Sequence, residues 1–279
     1  MWRIRASIVF FLVLAGIIIA RLFYWQIISH NRLSRDATTQ HFVRMTLPAK
    51  RGSIVTSDGY PLAMGKDASL VYASPKEITN PAEFSQKVAQ VLSMDIASVS
   101  AILSLPDRVW VPIAHKVDSH IVEGLKKLAI PGLGFAPEPK RYYPESSMAA
   151  QILGFVGLDN NGKDTGYFGL EGFYNRELSG KDGSLMLEKD VTGAPILSGT
   201  ISRIDPENGR SIVLWMDRTI QSIAEMRLRQ GLEKYGAKSG TVTIMDPATG
   251  GILAMASFPS YDPQSYWDFE YGLYKNPVV

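Results

Sequence analysis

Acyl transfer at a serine needs a base within reach of the hydroxyl, and a lysine three residues further along a helix supplies one, because positions i and i+3 share a face. No serine from Ser7 to Ser265 has such a lysine. Two tripeptides associated with that chemistry do occur, Lys238-Ser239-Gly240 and Ser29-His30-Asn31. The first lies ahead of any nucleophile and the second at the foot of an apolar run, so both read as chance matches. The four histidines, His30, His41, His115 and His120, form no H-E-x-x-H and no carboxylate cluster, which argues against a metal site. Cysteine is absent, excluding disulfides, thiolate zinc sites and cysteine nucleophiles, and there is neither a Walker loop nor a G-x-G-x-x-G. No catalytic, cofactor-binding or metal-binding residue is assigned, and no cofactor is expected.

The rest of the chain therefore has to be read for what it positions. Its 279 residues, 46% hydrophobic and 20% charged, suffice for one large or two modest domains with real cores. A net charge of +2 without a long Lys/Arg run lacks the concentrated positive field of a nucleic-acid binder. At the N-terminus Arg3 and Arg5 precede an uncharged run from Ala6 to Ala20, and beyond Arg21 the apolar character resumes with Leu22, Phe23, Tyr24, Trp25, Ile27 and Ile28. A membrane span is expected, with Arg21 near an end where it can snorkel. A cleaved signal peptide is the alternative, but bulky Ile17, Ile18 and Ile19 occupy the place where a cleavage site wants small residues. A retained anchor with its N-terminus inside is expected, although Arg21, Arg32 and Arg35 compete with Arg3 and Arg5 in the charge count.

Beyond the anchor, Phe23 to about Gln40 reads as a partly helical stalk and Phe42 to Leu47 as a short strand. Ser57-Asp58-Gly59 between Ile54-Val55 and Leu62-Ala63 predicts two extended pieces around a tight turn. Phe84, Val88, Val91 and Leu92 after Asn80-Pro81 predict one helix, and His120, Ile121, Leu125 and Leu128 before Pro131 and Gly132 another. From Gly132 to about Ser198 the frequent Gly and Pro predict short strands and irregular structure. Arg203 to Gly209 is a polar turn cluster suited to a domain linker. Ser211 to Trp215 is expected to be a strand, Asp217 an N-cap, and Ile220, Ile223, Ala224, Leu228 and Leu232 the apolar stripe of a helix ending near Gly236. Gly240 to Met245 and Ile252 to Ala256, around Asp246-Pro247-Ala248-Thr249-Gly250, predict an antiparallel hairpin.

Several of these segments form an ordered series. Arg51, Gly52, Ile54, Gly59, Leu62 and Ala63 match the box R-G-x-I-x-D-R-x-G-x-x-L-A, with Thr56 and Ser57 in place of Asp-Arg. Arg141, Tyr143 and Pro144, followed by Ala149-Ala150 and Gly154-Phe155-Val156-Gly157, match R-x-Y-P and its Gly turn. Gly169-Leu170-Glu171-Gly172 with Gly180 and Gly183 matches G-L-E and L-x-G-x-x-G, and Asp217 with Gln221 matches T-x-D-x-x-x-Q, Met216 replacing Thr. Asp246 and Gly250 belong to the hairpin, which runs on into Phe258-Pro259-Ser260-Tyr261-Asp262-Pro263. Behind a single anchor this series resembles the front part of a class B penicillin-binding protein and covers nearly the whole chain.

The resemblance implies a membrane anchor helix plus an α+β chain: residues 1–28 as cytoplasmic tip and anchor, 29–203 as a mainly β, elongated pedestal of dimerisation type, and 204–279 as the opening strand, helix and hairpin of an incomplete α/β transpeptidase domain. It implies a parent enzyme of the bacterial cell membrane, the bulk of it extracytoplasmic, that cross-links peptidoglycan through a serine acyl-enzyme on D-Ala-D-Ala stem peptides and binds penicillin. The motif residues named above would be structural. Partners would be the membrane, a polytopic glycan polymerase and other elongation or division proteins, with stem peptides and β-lactams reserved for the full-length parent. In that family the S-x-x-K motif follows a segment resembling Asn276-Pro277-Val278-Val279, so this chain is expected to be inactive. The hairpin is then expected to be poorly covered and aggregation-prone from about Ser211 onward. A non-catalytic anchored scaffold is the rival reading.

Overall fold

The computed structural model describes residues 2–33, 42–104, 108, 110–188 and 201–279. Arg35 and Gln40 of the expected stalk, His41, and residues 189–198 of the expected irregular stretch lie outside them. Contacts divide the chain into two units, Met1–Thr46 with Ser184–Asp205, and Leu47–Gly183 with Pro206–Val279.

The first unit contains helix α1 (Trp2–Phe23), which continues as a π-helical turn over Tyr24–Ile28. Together they form a 27-residue helix, the one element among the described residues long and apolar enough to cross a membrane. At 1.5 Å per residue it measures about 40 Å, against a hydrocarbon core of about 30 Å. Strands β1 (Phe42–Leu47), β10 (Gly183–Glu188) and β11 (Ile201–Ile204) form a sheet in the order β1-β10-β11, with Ser184 opposite Ile204 in the antiparallel β10–β11 pair.

The second unit is mixed α+β. Strands β2 (Ile54–Val55), β3 (Pro61–Lys66), β7 (Lys140–Tyr142) and β12 (Ile212–Val213) form a sheet in the order β12-β2-β3-β7. The turn between β2 and β3 needs a left-handed residue, supplied by Gly59 at φ 82°, and is closed by the Thr56 hydroxyl bonding the Asp58 carboxylate. Ile54, Leu62, Ala63, Tyr143, Met148, Leu153, Leu178 and Met216 bury themselves as one cluster. The expected strand Ser211 to Trp215 shrinks to Ile212–Val213. It pairs parallel to β2, Ile212 opposite Ile54, and the chain then turns so that Asp217 N donates to Leu253 O.

A second sheet, in the order β5-β4-β6, is made by β4 (Ala68–Ala73), β5 (Val111–Asp118) and β6 (Leu133–Pro137). It is covered by α2 (Pro81–Leu92), α3 (Ile96–Leu103) and α4 (Ser119–Lys127). Asn80 caps α2 by accepting from Glu83 N, Pro81 occupies its first position, and Asp95 caps α3 by accepting from Ser98 N. Phe84 and Val88, four residues apart, turn inward onto Val99, Val111 and Ile113. Each such side chain contributes about 1.5–3 kcal/mol on burial. Leu128, expected inside α4, lies just past its end.

Short elements follow: α5 (Ala150–Leu153), the hairpin β8 (Phe155–Leu158) and β9 (Asp164–Tyr167), α6 (Gly169–Phe173) and α7 (Asn175–Ser179). Helix α8 (Arg218–Tyr235) begins at Asp217, whose carboxylate accepts from Ile220 N, and ends at Gly236 in the left-handed conformation. The antiparallel hairpin β13 (Gly240–Met245) and β14 (Ile252–Phe258) packs Ala254 and Ala256 beneath Ala224 of α8.

Candidate functional site

The motif residues closest to one another gather around one carboxylate. Glu171 on α6 is fully buried, yet it is flanked by two guanidinium groups. Arg51 Nε donates to its Oε2 at 2.7 Å and Arg51 Nη2 lies 2.5 Å from the same oxygen. Arg141, on β7, donates from Nε to Oε1 at 2.6 Å, while its Nη2 sits 2.6 Å from that oxygen as an ion-pair contact off the hydrogen-bonding line. The remaining donors reach backbone and amide oxygens: Arg141 Nη1 to Gly52 O at 2.7 Å, Arg51 Nη2 to Glu171 O at 3.1 Å, and Arg51 Nη1 to Asn175 Oδ1 at 2.9 Å.

Such an assembly binds the stretch before β2, strand β7 and helix α6 through charge-assisted bonds. Both carboxylate oxygens are taken up by guanidinium, leaving no free base, so the arrangement ties the fold and has no acid–base chemistry to offer. Gly52 is required by a close approach, since a Cβ there would lie 2.0 Å from Arg210 O. Beneath the cluster, Ile54, Leu62, Ala63 and Tyr143 join the core. The Tyr143 hydroxyl is buried with no partner among the described residues, and burial pushes its ionisation well above the ordinary range.

A second group joins α8 to the hairpin. The fully buried Gln221 accepts from Met255 N at 2.8 Å and donates to Met255 O at 3.0 Å, a two-point grip on β14. It also donates to Glu225 Oε1 at 2.7 Å, and that oxygen accepts from Ala149 N at 2.9 Å. Burial raises the Glu225 carboxyl above its ordinary value despite these two bonds. At the hairpin tip Asp246 accepts from Ala248 N at 3.0 Å and from the Thr249 hydroxyl at 2.7 Å, and Gly250 takes φ 76°.

The other motif residues occupy turns and element ends. Pro144 follows β7, Gly169 and Gly172 lie in α6, Gly180 ends α7 and Gly183 opens β10. The motif residues do not converge on a reactive centre. An apolar cavity of about 820 Å³ lies nearby, lined among others by Ile152, Leu170, Trp215, Met216 and Met255, with no carboxylate side chain in its wall. Sequence reading missed Asn175 and Glu225. Glu225 stands four residues after Gln221 on α8, and that i, i+4 spacing was the available signal; Asn175 opens α7, a different helix from that of Glu171, and meets Arg51 Nη1 and Gly166 N only through the fold.

A family model described as the penicillin-binding protein dimerisation domain matches residues 46–214. Among curated proteins, the probable peptidoglycan D,D-transpeptidase PenA of Neisseria meningitidis is 30% identical over 264 residues, covering 94% of this chain and 45% of that protein. Penicillin binding protein 2X from Streptococcus thermophilus shares the fold, with a TM-score of 0.61 at 23% identity over 80% of this chain and 36% of its own. The complex between penicillin-binding protein PBP2 and MreC from Helicobacter pylori also matches, at a TM-score of 0.61 and 19% identity, over 85% of this chain and 48% of the matched chain. This chain spans less than half the length of the curated relatives it matches. Since the dimerisation-domain match alone extends over more than half of the sequence, the chain belongs to the penicillin-binding protein dimerisation-domain family.

Proposed function

We propose that this chain is the anchored, positioning part of a peptidoglycan D,D-transpeptidase of the class B penicillin-binding type. In this reading residues 1–28 hold it in the bacterial cell membrane, 29–203 form an extracytoplasmic pedestal and 204–279 open the transpeptidase domain. The observation that carries the reading is the unbroken run from the dimerisation-domain match, residues 46–214, into Asp217 and Gln221, which cap α8 and grip β14. The motif residues act structurally, with Arg51, Arg141 and Glu171 tying the pedestal together. Catalysis in the whole protein proceeds by serine attack on the D-Ala-D-Ala carbonyl, expulsion of the terminal D-Ala, and transfer of the acyl group to the amine of a neighbouring stem peptide. Partners would be a glycan polymerase and other elongation or division proteins; the similar structure of a penicillin-binding protein in complex with MreC supports a partner of the second kind.

The 279 residues contain no serine with a lysine three positions on, so this stretch by itself is expected not to acylate. A labelled penicillin tests both statements. It should leave this chain unmodified but label the product of the gene read through the codon for Val279, provided an S-x-x-K follows in frame. Covalent labelling of the 279 residues alone would overturn the reading. The alternative is a non-catalytic anchored scaffold for cell-wall proteins, and the reading frame beyond the codon for Val279 decides between the two.

A further inference from the structure

Past Pro144 the chain enters a loop with two non-glycine residues in the left-handed region, Ser146 at φ 48° and Ala149 at φ 55°. Such conformations are costly and persist only where the surroundings hold them, which makes them markers of junctions and clamps. Here the start of α8 does the holding. Glu145 Oε1 accepts from the Tyr60 hydroxyl at 2.7 Å and from Arg218 Nε and Nη2 at 3.1 and 2.6 Å. The guanidinium also lies over the Tyr60 ring, its Cζ 4.1 Å from the centroid. At the far end of the loop Ala149 N donates to Glu225 Oε1 at 2.9 Å. Alongside, Ser57 N and Oγ donate to Met216 O at 2.9 and 3.1 Å. The bonds from Tyr60 and then Arg218 hold the Glu145 carboxyl below its usual range.

We propose that Glu145 is the keystone of a clamp that fixes the first turns of α8 on the β2–β3–β7 sheet. One carboxylate oxygen joins the β2–β3 turn region, through Tyr60, to the first residue of the helix, through Arg218, and it does so from a third segment held in a strained backbone. Sequence reading placed a domain boundary at residues 203–204, between these partners, whereas residues 47–183 and 206–279 cluster as one unit. The consequence rests on the proposed function. In a transpeptidase, a load or partner acting on the pedestal would reach α8 through this carboxylate.

The test is hydrogen exchange on the full chain in detergent, wild type against Glu145→Ala, Arg218→Ala and the double variant. Glu145 and Arg218 side chains are partly exposed, 24% and 42%, so the substitutions leave no buried cavity. In each single variant the amides of Ile220 and Gln221 should exchange about tenfold faster, equivalent to about 1.4 kcal/mol. The double variant should fall short of the sum of the two single effects, because either substitution already breaks the Glu145–Arg218 pair. Strands β4, β5 and β6 should be unaffected. Glu145→Gln, which keeps an oxygen for Tyr60, should fall between wild type and Glu145→Ala. Rates at Ile220 and Gln221 within about twofold of wild type, additive effects in the double variant, or equal acceleration in β4–β6 would each overturn the clamp. None of these readouts depends on acyl transfer, so failure of the clamp and failure of the proposed function are separately visible.

Discussion

Replacing Glu171 by Gln changes almost no volume and isolates one question: what the buried carboxylate does for the two arginines around it. In the native cluster Oε2 faces Arg51 Nε at 2.7 Å and Nη2 at 2.5 Å, and Oε1 faces Arg141 Nε and Nη2, both at 2.6 Å. An amide supplies one oxygen and one N–H donor group, so whichever way it is turned, one guanidinium meets a donor where it had a carboxylate. The Arg51 and Arg141 side chains are only 11% and 4% exposed, so water cannot replace the lost partner. Removing one partner from a buried ionic cluster costs about 3–5 kcal/mol. For a chain of this size each kcal/mol moves the midpoint by about 2–4 °C, giving a drop of roughly 6–20 °C. The assay is a thermal scan of the full chain in detergent, followed by tryptophan fluorescence. Lys181→Ala is the control, because it breaks the Lys181–Glu207 pair, whose side chains are 79% and 71% exposed, and should leave the midpoint unchanged within error. If Glu171→Gln moves the midpoint no further than Lys181→Ala, the buried cluster is not what ties these elements together. The apolar triple variant Arg51→Met, Arg141→Met, Glu171→Leu should recover most of the loss, because it leaves no unpaired charge behind.

Gln221→Ala strips Met255 of both its side-chain partners and should cost about 2–4 kcal/mol, with the Met255 amide losing its exchange protection while β4 keeps its own. Tyr143→Phe removes a buried hydroxyl that has no partner among the described residues and should raise stability by about 1–3 kcal/mol in denaturant titration; a loss would mean that the hydroxyl is bonded. Glu225→Gln tests burial as the cause of that carboxyl's raised value. A group that binds its proton more tightly when folded gains stability as pH falls through its folded value and loses it above. The variant should therefore melt higher than wild type at pH 7, and the gap should close as pH falls towards about 4, the unfolded glutamate range. A gap independent of pH would show that charge is not the cause.

What the sequence determined by itself was local, because caps, turns and hairpins are decided by residues a few positions apart. Asn80-Pro81 starts α2, Asp217 and Gly236 bound α8, Gly59 allows the turn after β2, and the alternation from Gly240 pairs with the apolar run after Gly250. The apolar N-terminal helix was equally legible, as it depends on composition over one continuous stretch. The β4–β5–β6 sheet was not. In β5 Pro112 and the left-handed Lys116 break the alternation, and pairing across segments leaves no periodic mark in any one of them. Nor could spacing say that the hydroxyl of Ser211, 158 residues from Ser53, would accept from the Ser53 backbone N–H and that the expected opening strand of a second domain would lie on β2. The motifs named Arg51, Arg141 and Glu171, but only the folded chain brings together charges 30 and 120 residues apart, since a carboxylate can be buried there only if both arginines arrive with it.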